Sequence, residues 1–137
     1  NQPAEIEIAM QTYGRHLGTA FQLVDDIMDY TADAKGMGKN VGDDLAEGKP
    51  TLPLLHAMWN ANSSDAELIR SAIENADGLP NFEQILSIMN QSGSIEYTRN
   101  KAIEESDLAK QALDVIPDSE YKNALLGLAD LAVNRGS

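Results

Sequence analysis

Tyr13-Gly14-Arg15-His16-Leu17-Gly18-Thr19-Ala20-Phe21-Gln22-Leu23-Val24-Asp25-Asp26-Ile27-Met28-Asp29 is the stretch that decides the fold. Tyr13, Leu17, Phe21, Val24 and Met28 are four, four, three and four residues apart, so a helix puts them on one face. That period predicts one long helix over residues 4–33. Gly14 and Gly18 interrupt it, each at roughly 1 kcal/mol relative to alanine. Their expected use is to let a neighbouring helix come close.

Moving outward, period-two alternation is almost absent and helical spacing recurs. Residues 34–50 lose the period, hold Gly36, Gly38, Gly42 and Gly48, and close on Pro50, which predicts a loop with room for one helical turn. A second helix is expected over 51–60, with Pro53 in the first turn, where a missing N–H does no harm. Ser64-Asp65-Ala66-Glu67 reads as a capping box. It opens a third helix with Leu68, Ile69, Ala72, Ile73 and Ala76 inward, stopped by Gly78 and Pro80. Phe82, Ile85, Leu86 and Met89 mark a short fourth helix. Ser94 starts a fifth, on which Ile95, Ala102, Ala109 and Ile116 recur every seven residues and Leu113 joins them. After the break and cap at Pro117-Asp118-Ser119, Tyr121, Leu125, Leu128 and Ala132 line the last helix. The expected architecture is an all-α helical bundle with short connections, one segment over 1–137.

Composition narrows the function. The 137 residues suffice for one domain with a real core. Ten basic against 22 acidic residues leave a net charge of −12, which argues against nucleic acid and anionic membrane as main partners. The absence of cysteine removes thiolate metal sites, iron–sulfur clusters and thiol catalysis. Hard oxygen ligands remain as the abundant metal chemistry. No apolar run approaches the ~18 residues of a membrane span. The chain opens on Asn1-Gln2-Pro3 and not on Met, so it reads as an excerpt of a longer polypeptide. The expected location is cytoplasmic.

The acidic residues cluster. Asp25, Asp26, Asp29, Asp33, Asp43, Asp44 and Glu47 fall in one short stretch. Gln22, Asp25 and Asp29 share a helix face, and like charges there repel, so something cationic should offset them. One reading is a solvated acidic face. The other is Mg²⁺, held by one or two carboxylates and completed by water and substrate phosphate oxygens. Asp-Asp-x-x-Asp alone favours the first reading, since twelve aspartates make such a pattern easy to meet by chance. The loop that follows shifts the balance. Lys39 and Lys49 are two of only six lysines and sit among Gly38, Gly42 and Gly48, where a point charge on a long stem suits a diphosphate. Carboxylates for metal followed by lysines for phosphate are what ionising or transferring a diphosphate ester requires.

Gly18-Thr19-Ala20-Phe21-Gln22-Leu23-Val24-Asp25-Asp26-Ile27-Met28-Asp29-Tyr30, then Gly38-Lys39-Asn40-Val41-Gly42-Asp43-Asp44-Leu45, then Glu47-Gly48-Lys49-Pro50-Thr51-Leu52-Pro53-Leu54-Leu55 together resemble the trans-type polyprenyl diphosphate synthases. Phe-Gln-x-x-Asp-Asp-x-x-Asp looks like that family's second aspartate-rich motif. Ser92-Gly93-Ser94-Ile95-Glu96-Tyr97-Thr98-Arg99 and Gly127-Leu128-Ala129-Asp130-Leu131-Ala132-Val133-Asn134-Arg135 are similar to the tail of the octaprenyl diphosphate synthases of bacterial quinone synthesis.

The resemblance implies the C-terminal part of an isoprenoid-synthase fold. It implies an Mg²⁺-dependent prenyltransferase that condenses isopentenyl diphosphate with an allylic diphosphate, making a long-chain, octaprenyl-like product for ubiquinone. It further implies that Asp25, Asp26 and Asp29 form a metal cluster, with Asp25 and Asp29 ranked first as direct ligands. Gln22 would lie near substrate, and Lys39 and Lys49 would neutralise the leaving diphosphate. Asp43 and Asp44 would act through water or by orienting Lys39. The family's first aspartate-rich motif has no counterpart here, so this stretch is expected to be inactive alone, and the full-length protein is expected to be a homodimer.

Two rival readings have different consequences. A calcium loop fails on pattern, because counting from Asp29 puts Thr31 third and Ala34 sixth, where a ligand and a glycine are needed. A non-catalytic helical interaction module would suit residues 64–135 but leaves the Asp and Lys arrangement unexplained. Removing Asp25 and Asp29 together separates the readings: a scaffold should keep or gain stability, whereas an enzyme should lose turnover. His16 and His56 are expected to be structural, as are Trp59 and Tyr97.

Overall fold

The computed structural model describes residues 3–31 and 42–134. These contain helices and turns and no strand. The helices are α1 (Pro3–Met28), α2 (Asp43–Ala46), α3 (Leu52–Asn60), α4 (Ser63–Asn75), α5 (Phe82–Ser92), α6 (Ser94–Ala112) and α7 (Glu120–Asn134). Short 3₁₀ turns lie at Leu79–Asn81 and Leu113–Val115. The fold is therefore all-α, as the periodicity predicts. The chain packs as two compact units: one is Asp25–Thr98, and the other joins the start of α1, up to Val24, to the chain from Arg99 onward.

In the Asp25–Thr98 unit, α3, α4 and α5 pack on one another and α2 packs on α4. Leu45, Leu54, Ile69, Ile85 and Met89 are fully buried in one cluster. Each such side chain is worth about 1.5–3 kcal/mol relative to exposure. Tyr30 stacks on Phe82 with ring centroids 6.2 Å apart. His56 stacks on Tyr97 at 4.1 Å, and its Nδ1 lies 2.8 Å from Ser94 Oγ. His56 is thus satisfied locally, as a structural histidine would be.

The other unit is pinned by long-range bonds between its three helices. Tyr13 donates its hydroxyl to the Leu125 carbonyl at 2.7 Å, and Ser106 donates to the Ala129 carbonyl at 2.8 Å. His16 Nδ1 meets Glu105 at 2.9 Å. Lys110 pairs with Asp130. Tyr13, Ala109, Leu113, Ile116 and Ala129 form the buried cluster.

The ends of the elements depart from the sequence expectation at definite places. α1 stops at Met28, and Asp29 and Tyr30 turn, because the Asp29 carbonyl is taken by the Gly42 N–H at 2.8 Å. α4 begins one residue before Ser64. Its cap is Asn62, whose side-chain oxygen accepts from Asp65 N at 2.9 Å. Ala76 is exposed, with φ 52, and ends α4 instead of extending its buried face. On α7, Tyr121 is exposed and Ala129 and Ala132 are the buried positions. Gly14 and Gly18 are exposed, and a Cβ there would meet nothing within 4 Å among the described residues, so close helix approach is not their role in what is described. Trp59 is also exposed. Ser119 caps α7 as read, accepting from Lys122 N at 3.1 Å.

Gly48 is a position that only glycine suits. Its φ is +71, and a Cβ would sit 2.6 Å from the Ile73 carbonyl oxygen. Gly48→Ala should therefore destabilise by about 2 kcal/mol or more through backbone strain and collision. Thermal unfolding should show a fall in Tm of roughly 5–10 °C.

Candidate functional site

The candidate site grows from the C-terminal end of α1. Asp25 and Asp26 occupy its last turn, and Asp29 and Tyr30 follow it. The last turn carries no basic residue, and a helix C-terminus presents the negative end of its dipole. Asp25 is partly buried, Asp26 is 6% exposed and Asp29 is fully buried.

The chain then returns to this end. Gly42 (φ +92) precedes α2 and offers no side-chain cap. The cap comes from Asp29, whose Oδ1 accepts the Asp44 N–H at 3.0 Å. Asp44 is 4% exposed. Its carbonyl accepts the Lys49 N–H at 2.9 Å, and its carboxylate lies 3.6 Å from Lys49 Nζ. The Lys49 side chain is 55% exposed, so its ammonium stays open to solvent beside the buried Asp44. Thr51 is buried and caps nothing with its side chain.

Tyr30 reports on the field of this cluster. Burial pushes its phenol well above the usual tyrosine value, and the charge of Asp29 pushes it further. Thr51 works the other way, and Asp44 and Asp26 add smaller upward contributions. Three carboxylates therefore act on one hydroxyl, which stays protonated far beyond neutral pH.

Asp25, Asp26, Asp29, Asp44 and Lys49 all belong to the Asp25–Thr98 unit, with Asp43 exposed at the start of α2. Gln22 is exposed on α1 and belongs to the other unit. Lys39 and Asp33 lie outside the described residues. Among the described residues, no three carboxylate or histidine groups converge on a point where all could hold one ion. Asp29 lies beyond the helix that its spacing had suggested, and its carboxylate supports the fold. Removing it is therefore not the relief of repulsion that a solvated acidic face would predict. Tyr30 and Thr51 escaped sequence reasoning: Tyr30 directly follows Asp29, but no spacing rule marks a buried hydroxyl beside an acid as part of a site.

A profile of the polyprenyl synthetase family matches residues 1–89, and the chain belongs to that family. It is 56% identical to octaprenyl diphosphate synthase of Escherichia coli over 131 residues, covering 96% of this chain and 41% of that protein. The chain thus spans about two fifths of the length of the curated relatives it matches. A polyprenyl synthase from Caulobacter crescentus, solved with calcium and isoprenyl diphosphate, superposes with a TM-score of 0.89. It is 37% identical, over 99% of this chain and 42% of that one. A geranylgeranyl pyrophosphate synthase from Corynebacterium glutamicum, solved with isoprenyl diphosphate and magnesium, gives 0.84 at 27% identity, over 98% and 39%. None of the described helices is long and apolar enough to cross a membrane.

Folded Tyr30 holds its proton more tightly than the unfolded chain does. Its contribution is fully present below pH 10.0, the ordinary tyrosine value, and is lost as pH rises above it. Tyr30→Phe should lose less stability than the parent between about pH 8 and about pH 11, measured by thermal melts.

Proposed function

We propose that this chain carries the second aspartate-rich motif of an Mg²⁺-dependent prenyltransferase, which joins isopentenyl diphosphate to an allylic diphosphate and makes a long-chain, octaprenyl-like diphosphate for ubiquinone. The observation that carries this reading is the burial of Asp26 and Asp29 at a helix end without a basic residue in its last turn, joined through the Asp29–Asp44 bond to Asp44, which faces Lys49. Carboxylates gathered at the negative end of a helix dipole, with a lysine close by, suit a cation and a diphosphate. The motif order and the relatives support the same reading.

Of Asp25, Asp26 and Asp29, one or two would hold the cation directly, with Asp25 and Asp29 ranked first. A set of one or two carboxylates, completed by water and substrate phosphates, is what Mg²⁺ commonly takes, and the donors here fit it. When bound, it would neutralise charge on the diphosphate oxygens. Lys49 and Lys39 would bind the same diphosphate as point charges, and Gln22 and Asp43 are further substrate-binding candidates on the motif resemblance. Asp44 holds Lys49 in place. Tyr30, protonated and buried, adds no negative charge where an anion must leave. In the reaction, the allylic C–O bond breaks and diphosphate departs. A new C–C bond forms to isopentenyl diphosphate, and a proton is lost from the adjacent carbon. We place the protein in the cytoplasm as a homodimer, with no nucleic-acid partner.

The test is incorporation of labelled isopentenyl diphosphate onto farnesyl diphosphate by the longest reading frame that carries this chain. Incorporation should require a divalent cation, with Mg²⁺ effective. Asp25→Ala should lower it by about 100-fold or more, the scale of several kcal/mol of charge stabilisation. Product length on reversed-phase chromatography reads the chain-length assignment. A folded protein without incorporation would favour the helical interaction module.

A further inference from the structure

Asp29 has a second task that its place in an aspartate motif does not suggest. α2 is only four residues long, and its N-cap, Gly42, has no side chain to offer. Asp29 supplies the missing acceptor from 15 residues away: its Oδ1 takes the Asp44 N–H at 3.0 Å, and its carbonyl takes the Gly42 N–H at 2.8 Å. Asp44 passes this restraint on. Its carbonyl takes the Lys49 N–H at 2.9 Å, and its carboxylate faces Lys49 Nζ at 3.6 Å. Between them, Gly48 lies against the Ile73 carbonyl, where no side chain fits. The segment from Gly42 to Lys49 is thus fixed at one end by Asp29 and at the other by the close approach of Gly48 to α4.

We infer that Asp29 is a positioning residue for Lys49: its carboxylate oxygen holds α2 through the Asp44 N–H and so sets where the Lys49 ammonium meets a diphosphate, separately from any part that Asp29 takes in holding a cation. This rests on the functional reading above. An asparagine at 29 keeps a carbonyl oxygen able to accept the Asp44 N–H but loses the charge. An alanine loses both. The two variants therefore separate positioning from cation binding.

The experiment compares Asp29→Asn, Asp29→Ala, Lys49→Ala and the Asp29→Ala/Lys49→Ala double variant in the longest reading frame that carries this chain. KM for farnesyl diphosphate and kcat are measured at saturating Mg²⁺, and hydrogen exchange is followed at the Asp44 amide without substrate. Asp29→Asn should keep slow exchange at Asp44 and raise KM at least about 3-fold less than Asp29→Ala does, whatever happens to kcat, because both variants lose the charge and only alanine loses the acceptor. Asp29→Ala should speed exchange at Asp44 and raise KM about 10-fold or more, as Lys49→Ala does. The double variant should be no worse in KM than the worse single variant, because both act on one contact. The inference is overturned if Asp29→Asn raises KM as much as Asp29→Ala, if the KM effects of Asp29→Ala and Lys49→Ala multiply, or if Asp44 exchange is unchanged in Asp29→Ala. The exchange readout needs no turnover. An inactive parent whose Asp44 amide loses protection in Asp29→Ala alone sinks the prenyltransferase reading and the diphosphate role of Lys49, and leaves only the bond. Should Asp29→Ala fail to fold, Asp29→Ser, whose side chain is one bond too short to reach the Asp44 amide, takes its place with the same expected and overturning outcomes.

Discussion

The bond from the Asp44 amide to the Asp29 carboxylate is the constraint on which the Asp25–Thr98 unit turns. A four-residue helix does not stand alone, because nucleation fixes several dihedrals for one hydrogen bond. α2 exists because a buried, ionisable acceptor satisfies its orphan amide, and a hydrogen bond to a charged group is worth about 1.5–3 kcal/mol. Everything after it inherits the register. Leu45 is thereby placed in the buried cluster, Gly48 is laid against α4, and Lys49 is returned to Asp44.

The same region concentrates the chain's electrostatic cost. Asp26, Asp29 and Asp44 are each nearly or fully buried, in a chain already at −12. Tyr30 sits among them, its phenol raised first by burial and then by the charge of Asp29. A fold selected only for stability would replace such groups with apolar ones of similar volume, which is often neutral or favourable. Keeping them makes sense where a cation and a diphosphate must be gathered at one place. The hydrophobic clusters around Leu54, Ile69 and Ile85 supply the stability that this arrangement draws on.

How much could be read in advance differs between the bodies of helices and their ends. Apolar spacing located α3, α5 and α6 well, because burial of one face follows directly from a 3.6-residue period. It misplaced ends. Ser64 has the capping-box pattern, yet Asn62 takes the role, since two residues upstream an equally good acceptor reaches Asp65 first. Ala76 continues the apolar period of α4, but the chain needs a left-handed residue there to turn toward Gly78. On α7, Tyr121 shares the face by spacing and remains exposed, while the small Ala129 and Ala132 are buried. Period alone cannot tell which of two adjacent stripes meets a neighbour.

For the site, the sequence by itself determined the inventory: a run of aspartates at helical spacing, a glycine-punctuated loop and two lysines in order, enough to name the family. Chemistry of that kind is written in residue type and spacing, which survive any packing. Only the tertiary structure decided the division of labour. It showed that α1 ends before Asp29, that Asp29 is spent on an amide 15 residues away, and that Asp44 restrains Lys49. It also brought Tyr30 within the field of three carboxylates. The first of these contacts joins residues 15 apart along the chain. It satisfies a buried amide with a buried carboxylate, and no local period encodes that pairing.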